Sequence, residues 1–191
     1  MIIIIDNYDS FTYNLYQSIA TFHDNVKVLR NDKVTVCDIE AMQPAGIIIS
    51  PGPGQPKDAG ISVELVKQLG DRIPILGICL GHQAIVEAYG GQITLAKNPV
   101  HGKSTFIFHH RQGIYQDMPL PFSAARYHSL IAENENIPDE LLVESENETG
   151  IVMGIRHKSY PVYGFQFHPE SILTPEGDIL IKNFVKICNH D

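Results

Sequence analysis

Three short runs of this chain, 2–5, 46–49 and 73–78, contain no charged or hydrophilic side chain. A strand with one wet face alternates apolar and polar residues, whereas a run apolar throughout must be covered on both faces, as in the middle of a parallel sheet. After the first run, Phe11, Leu15, Ile19 and Phe22 recur at helical spacing, with Asp9 or Ser10 placed to cap the helix. A short strand at 26–29 and a helix at 36–42 lead to the second run, which completes a β-α-β-α-β opening.

Segment 50–56, Ser-Pro-Gly-Pro-Gly-Gln-Pro, is a loop: three prolines remove backbone donors, and its two glycines permit angles outside helix and strand. A helix at 62–69 precedes the strand 73–78, and another at 80–89 follows it, stopped by Gly90-Gly91. Beyond this point the pattern changes to short alternating segments, GQITLA, KSTFIFHH, FSAARYHS, ELLVESEN, GIVMGIRH and PVYGFQFH, which read as hairpins and mixed-sheet strands. A last helix spans 176–187. The expected fold is α/β: an open, mostly parallel, flavodoxin-like sheet with helices on both faces and a small antiparallel or mixed β extension. With 191 residues the chain is expected to form one domain, 1–191.

A formal charge of −8 argues against a nucleic-acid or anionic-membrane surface, both of which call for clustered Lys and Arg. Cys37, Cys79 and Cys188 are too few and too scattered for a disulfide framework, which fits a reducing cytoplasm. The opening MIIIIDNYDS lacks a basic n-region, and its apolar run is too short for a signal or a span. Nine histidines are present, but no HExxH motif or zinc-ligand spacing, so no metal site is expected.

At Cys79 the strand 73–78 breaks into a turn. A free cysteine is more often packing than nucleophile, but Gly77-Ile78-Cys79-Leu80-Gly81 has the G-x-C-x-G form of a nucleophile elbow. In such an elbow the glycines let backbone approach where a Cβ would clash. The helix N-terminus favours negative charge, and the N–H of Leu80 points where an oxyanion would form. A base is available in Phe167-His168-Pro169-Glu170: the proline biases His168 toward extended backbone, and residues i and i+2 then share a side, so Glu170 can orient the imidazole. A surface histidine with a neighbouring acid is the plain alternative for that tetrapeptide. The 50–56 loop lies at the carboxyl edge of the sheet, where it could donate a second oxyanion hydrogen bond. A phosphate loop is its rival reading, but neither G-x-x-x-x-G-K-[ST] nor G-x-G-x-x-G is complete.

Together SPGPGQP, GICLGHQ and GFQFHPES resemble, in order and spacing, the class I (triad) glutamine amidotransferases over essentially the whole chain. DNYDSFTYNL, GHQAIVEAYGG, HGK, RYHSL and HPESILT are similar to one branch, the small subunits of anthranilate synthase and aminodeoxychorismate synthase. The resemblance implies that Cys79 attacks the side-chain amide of L-glutamine, that His168, oriented by Glu170, manages the protons, and that a γ-glutamyl thioester forms. It implies further that Leu80 and Gly52, Pro53 and Gly54 form the oxyanion hole, while Gln83, Ser129 and Leu130 hold the glutamine. No cofactor is expected in this chain; any Mg2+ would belong to the partner. That partner is a large chorismate-binding synthase subunit, anthranilate synthase component I or aminodeoxychorismate synthase component I, which consumes the ammonia. The pathway stays open between tryptophan, folate and a subunit shared by both synthases, with the sequence leaning toward anthranilate synthase.

Cys37 and Cys188 are expected to be packing residues. Asp6, Asn7, Asp9 and Ser10 cluster at the end of the first strand, with Asp9 or Ser10 as a helix cap and a partner contact by that loop as the secondary reading, and His101, Gly102 and Lys103 form a turn or face the partner. His82 is left outside the catalytic set. The rival functions are a stand-alone γ-glutamyl cysteine hydrolase and a flavodoxin-like module whose Gly/Pro loop binds an anion.

Overall fold

The computed structural model describes residues 1–189. Its elements run β1 (Ile2–Asp6), α1 (Thr12–Ala20), β2 (Val26–Arg30), α2 (Val36–Ala41), β3 (Gly46–Ile49), α3 (Ser62–Leu69), β4 (Ile75–Ile78), α4 (Leu80–Ala88), β5 (Ile93–His109), β6 (Phe122–Ala132), β7 (Leu141–Asn147), β8 (Val152–His157), β9 (Val162–Phe165) and α5 (Gly177–Asn189). The strands make a nine-stranded sheet in the order β2-β1-β3-β4-β9-β8-β7-β5-β6.

The apolar runs form the parallel centre, as expected. Ile2 and Ile4 join Leu15, Ile19, Leu180, Ile181 and Phe184, beneath α1 and α5. Ile3 and Ile5 face the other way, onto Ile39, Leu65, Val66 and Ile85 of α2, α3 and α4. All four isoleucines of β1 are fully buried, each worth about 2 kcal/mol of transfer free energy.

The second half of the sheet departs from the sequence reading in two ways. GQITLA and KSTFIFHH belong to one long strand, β5, interrupted by register shifts between Leu95 and Val100 and between His101 and Lys103 where it pairs with β6. Pro99 and Gly102 sit at those irregularities, and the strand continues through them. PVYGFQFH does not belong to the extension alone. β9 pairs in parallel with β4 and antiparallel with β8, which makes it the junction between the two halves. The antiparallel strands therefore continue the parallel sheet, and the carboxyl ends of β4 and β9 lie side by side.

Candidate active site

Cys79 is the residue that ends β4 and precedes α4. Its backbone has φ 51° and ψ −98°, a left-handed conformation that costs a non-glycine residue roughly 1–3 kcal/mol. Its N–H donates to the Phe165 carbonyl at 2.7 Å, which ties the elbow to the end of β9. The flanking glycines are sterically required: a Cβ on Gly77 would lie 2.3 Å from the Gly81 oxygen, and one on Gly81 would lie 2.4 Å from the Ile49 oxygen.

Past β9 the chain bends at Gln166 and Phe167 and turns at Pro169-Glu170, where the Ser171 N–H donates to the His168 carbonyl, so His168 and Glu170 meet across a turn and not along the extended segment the sequence predicted. Nδ1 of His168 donates to Oε1 of Glu170 at 2.7 Å, and both side chains are almost fully buried. That bond leaves Nε2, which has no hydrogen-bond partner of good geometry, on the side of the Cys79 thiol. Burial pulls the imidazole down, but the Glu170 carboxylate and the Cys79 sulfur outweigh it and hold His168 well above the ordinary histidine value. The site is thus built to keep a proton on the imidazole, on the side that faces the sulfur.

Several groups fix His168 in place. Its N–H donates to the Ala125 carbonyl of β6 at 3.0 Å. The Thr174 hydroxyl donates to the His168 carbonyl at 2.7 Å and accepts from the Ala125 N–H at 2.9 Å. Phe11 and Tyr127 close over the ring, with centroids 5.6 and 5.1 Å away.

The 50–56 loop is anchored by Asn7. The Asn7 N–H donates to Ser50 Oγ and its side-chain amide to the Ser50 carbonyl, both at 2.9 Å, while its Oδ1 accepts from Asn31 and Ser62. Gly52 packs so tightly against this anchor that a Cβ would lie 2.6 Å from the Asn7 Cβ and 2.8 Å from Leu80. The loop is thereby brought against the start of α4, where the Leu80 N–H is among those with no acceptor inside the helix.

Between loop and elbow lies a cavity of about 210 Å³. Cys79, Leu80, Gly52, Pro53, Gly54, Gln83, Ser129 and Leu130 all line it, joined by His101, Tyr127 and His128. Gln83 donates to the Leu130 carbonyl at 3.0 Å, and His101 shares a 3.1 Å hydrogen bond with Ser129. His101 therefore belongs to the rim of this cavity. Asn7, Tyr127, His128, Gln166 and Thr174 are site residues that the sequence did not single out.

Other expectations fare differently. Cys188 is buried in the core, but Cys37 is exposed rather than packed. Asp9 accepts the Phe11 N–H at 2.7 Å, just ahead of α1, whereas Ser10 is exposed. Asp6 holds the turn after β1 together: one carboxylate oxygen takes the Tyr8 and Asp9 N–H groups and the Thr12 hydroxyl, and the other pairs with Arg30. Among the described residues no group of three or more His, Cys, Asp or Glu is placed to hold a metal ion. No helix among them is long and apolar enough to cross a membrane.

His82 points into the protein interior, and burial lowers it to about 4; His128 is lowered to about 3, by burial and then by Arg126. Both bind a proton less readily in the folded than in the unfolded chain. Below about pH 6.5 the unfolded state therefore takes up more protons, and stability falls with pH down to these folded values. His168, shifted upward, is protonated in both states in that window and adds no slope there. For His82 alone the loss between neutral pH and about pH 5 is about 2 kcal/mol. Unfolding free energies measured at the two pH values should differ by that much less in His82→Gln; an unchanged difference would remove His82 from the account.

The family model described as glutamine amidotransferase class-I matches residues 3–188. The chain is 51% identical to anthranilate synthase component 2 of Cyanophora paradoxa, over 99% of this chain and all of that protein. It is 46% identical to aminodeoxychorismate synthase component 2 of Escherichia coli K12, over 97% of this chain and 99% of that one. A crystal structure from Thermoplasma acidophilum, provisionally assigned to a GMP synthase, superimposes with a TM-score of 0.87 at 27% identity, covering 99% of this chain and 94% of the other.

Proposed function

The chain belongs to the class I glutamine amidotransferase family, and from that premise we propose that residues 1–191 act as one amidotransferase domain, hydrolysing L-glutamine and delivering ammonia to a chorismate-aminating synthase subunit. The observation that carries this reading is the buried pairing of Glu170 with His168 beside a strained cysteine that opens onto a small cavity. At about 210 Å³ the cavity is smaller than the ~300–1,000 Å³ of drug-sized ligand sites, which suits an amino acid.

In this reaction the Cys79 sulfur attacks the side-chain carbonyl carbon of glutamine. The oxygen that becomes negative is received by the Leu80 N–H and by N–H groups of the Gly52–Gly54 loop. His168 gives its proton to the departing nitrogen, ammonia leaves, and a γ-glutamyl thioester remains. Water then loses a proton to His168 and attacks the thioester, releasing glutamate and returning the sulfur to its starting state. Gln83 and the Ser129–Leu130 backbone hold the substrate.

Ammonia in neutral water becomes ammonium, which is not a nucleophile, so a closed path to the acceptor preserves its reactivity. Hydrolysis by the free chain would waste glutamine. Docking of the large subunit therefore organises the Gly52–Gly54 loop, and the isolated chain is weakly active. The partner favoured by the sequence is anthranilate synthase component I, in tryptophan biosynthesis in the cytoplasm. Aminodeoxychorismate synthase component I is the second reading, because the Escherichia coli relative matches over nearly its whole length.

Glutamate release by the purified chain, alone and with each large subunit, tests both points. Stimulation by at least about tenfold is expected, with one partner, which names the pathway, or with both, which marks a shared subunit. Equal rates with and without either partner would overturn the partner dependence.

A further inference from the structure

Gln166 lies wholly buried between the end of β9 and the elbow, two residues before His168. Its Nε2 lies 3.7 Å from Cys79 Sγ and donates toward it, while its Oε1 accepts from Gln83 Nε2 at 3.1 Å. We propose that Gln166 is a catalytic residue of the thiol site, whose amide N–H stabilises negative charge on the Cys79 sulfur and whose orientation is enforced by a chain of hydrogen bonds that starts at the Leu130 carbonyl.

Each link in that chain can point only one way. Arginine has no acceptor, so the Arg126 Nε–H donates to Nε2 of His128 at 3.0 Å, and the remaining Nδ1–H of a neutral His128 must donate to the Leu130 carbonyl at 3.0 Å. Burial, reinforced by Arg126, keeps His128 neutral. The Leu130 carbonyl can only accept, which turns the NH2 group of Gln83 toward it. The other N–H of that group then meets Gln166, whose oxygen must face Gln83 and whose nitrogen must face the sulfur. A flipped Gln166 would set two donors against each other at one end and aim an oxygen at a thiolate at the other.

The titratable and charged groups around the sulfur are His168 with Glu170 behind it, His128 and Arg126 from β6, His82 from α4, and Asp9 within electrostatic reach of His168. Of these, His168 is the one coupled to the Cys79 sulfur by hydrogen bonding and charge. Gln166 adds a donor that does not titrate, beside the sulfur both before the attack and when the sulfur leaves the thioester.

This inference deepens the glutaminase reading and rests on it for its use in turnover, but the thiol can be tested without glutamine. In a Cys37→Ser background, which removes the exposed thiol, the rate of Cys79 alkylation by iodoacetamide is measured against pH in wild type, Gln166→Leu and the nearly isosteric Gln166→Glu. The pH of half-maximal alkylation should rise by about one unit in Gln166→Leu, an about tenfold change in the thiol–thiolate equilibrium, and further in Gln166→Glu. The plateau rate at high pH should stay within about twofold, a pattern that loss of packing alone does not produce. Profiles of the folded variants that superimpose on wild type would overturn the proposal; failure of both variants to fold would do so too, by making the amide a packing element. A shifted profile in a chain whose wild type releases no glutamate with either synthase partner would sink the glutaminase reading and leave the role of Gln166 standing.

Discussion

Cys79→Ala abolishes glutamine hydrolysis, lowering kcat by at least about 10⁴-fold in the presence of the large subunit, while the protein remains folded. The two effects separate because the side chain contributes little to packing and everything to the covalent step. Cys79 is small and its Cβ is retained, so the core loses one sulfur atom at the wall of an existing cavity, for a stability cost of about 1 kcal/mol. His168, Glu170 and the oxyanion donors survive, yet no other thiol can take over: Cys188 is buried in the core and Cys37 lies exposed on α2. Wild-type turnover in Cys79→Ala would remove the nucleophile from the account.

Gly81→Ala produces the opposite balance, a change aimed at packing that also destroys the site. The added Cβ would lie 2.4 Å from the carbonyl oxygen of Ile49 and 2.9 Å from its Cβ. Ile49 is held from both sides, pairing with Ile5 on β1 and Gly77 on β4, so it cannot retreat without breaking the parallel ladder. The helix must move instead, carrying Cys79 and Leu80 with it. The expected loss is about 3 kcal/mol, a fall in thermal midpoint of about ten degrees for a chain of this size, with glutaminase activity reduced even at temperatures where the protein is folded. A thermal midpoint equal to that of wild type would contradict the packing of α4 on β3.

These two positions are legible in the sequence because their information is local. An apolar run ending in Gly-x-Cys-x-Gly states its own geometry, and the His-Pro-Glu tripeptide sets its acid two residues from its base, although the two pair across a turn and not along extended chain. Family resemblance links the two; the physical cause of their meeting is the parallel pairing of β9 with β4, which the alternating pattern of PVYGFQFH does not reveal. The same holds for Gln166, Tyr127 and His128. Each looks like an ordinary strand residue until β6 is laid across the end of β9 through Ala125 and His168. Asn7 reads only as one of a polar cluster at the end of the first strand because its partners, Ser50, Asn31 and Ser62, lie far along the chain. β5 reads as two strands because Pro99 and Gly102 signal breaks locally, while the pairing that carries the strand through them comes from β6.

The most direct test of covalent catalysis at Cys79 is active-site labelling by a glutamine analogue that carries an electrophilic carbon where the side-chain amide would be. The labelled protein is digested and the modified peptide identified by mass spectrometry. The account predicts one label, on Cys79, formed faster when the large subunit is present, blocked by glutamine, and accumulating in step with the loss of glutamate release. A label on the exposed Cys37, or glutamate release that continues while Cys79 is fully modified, would contradict it.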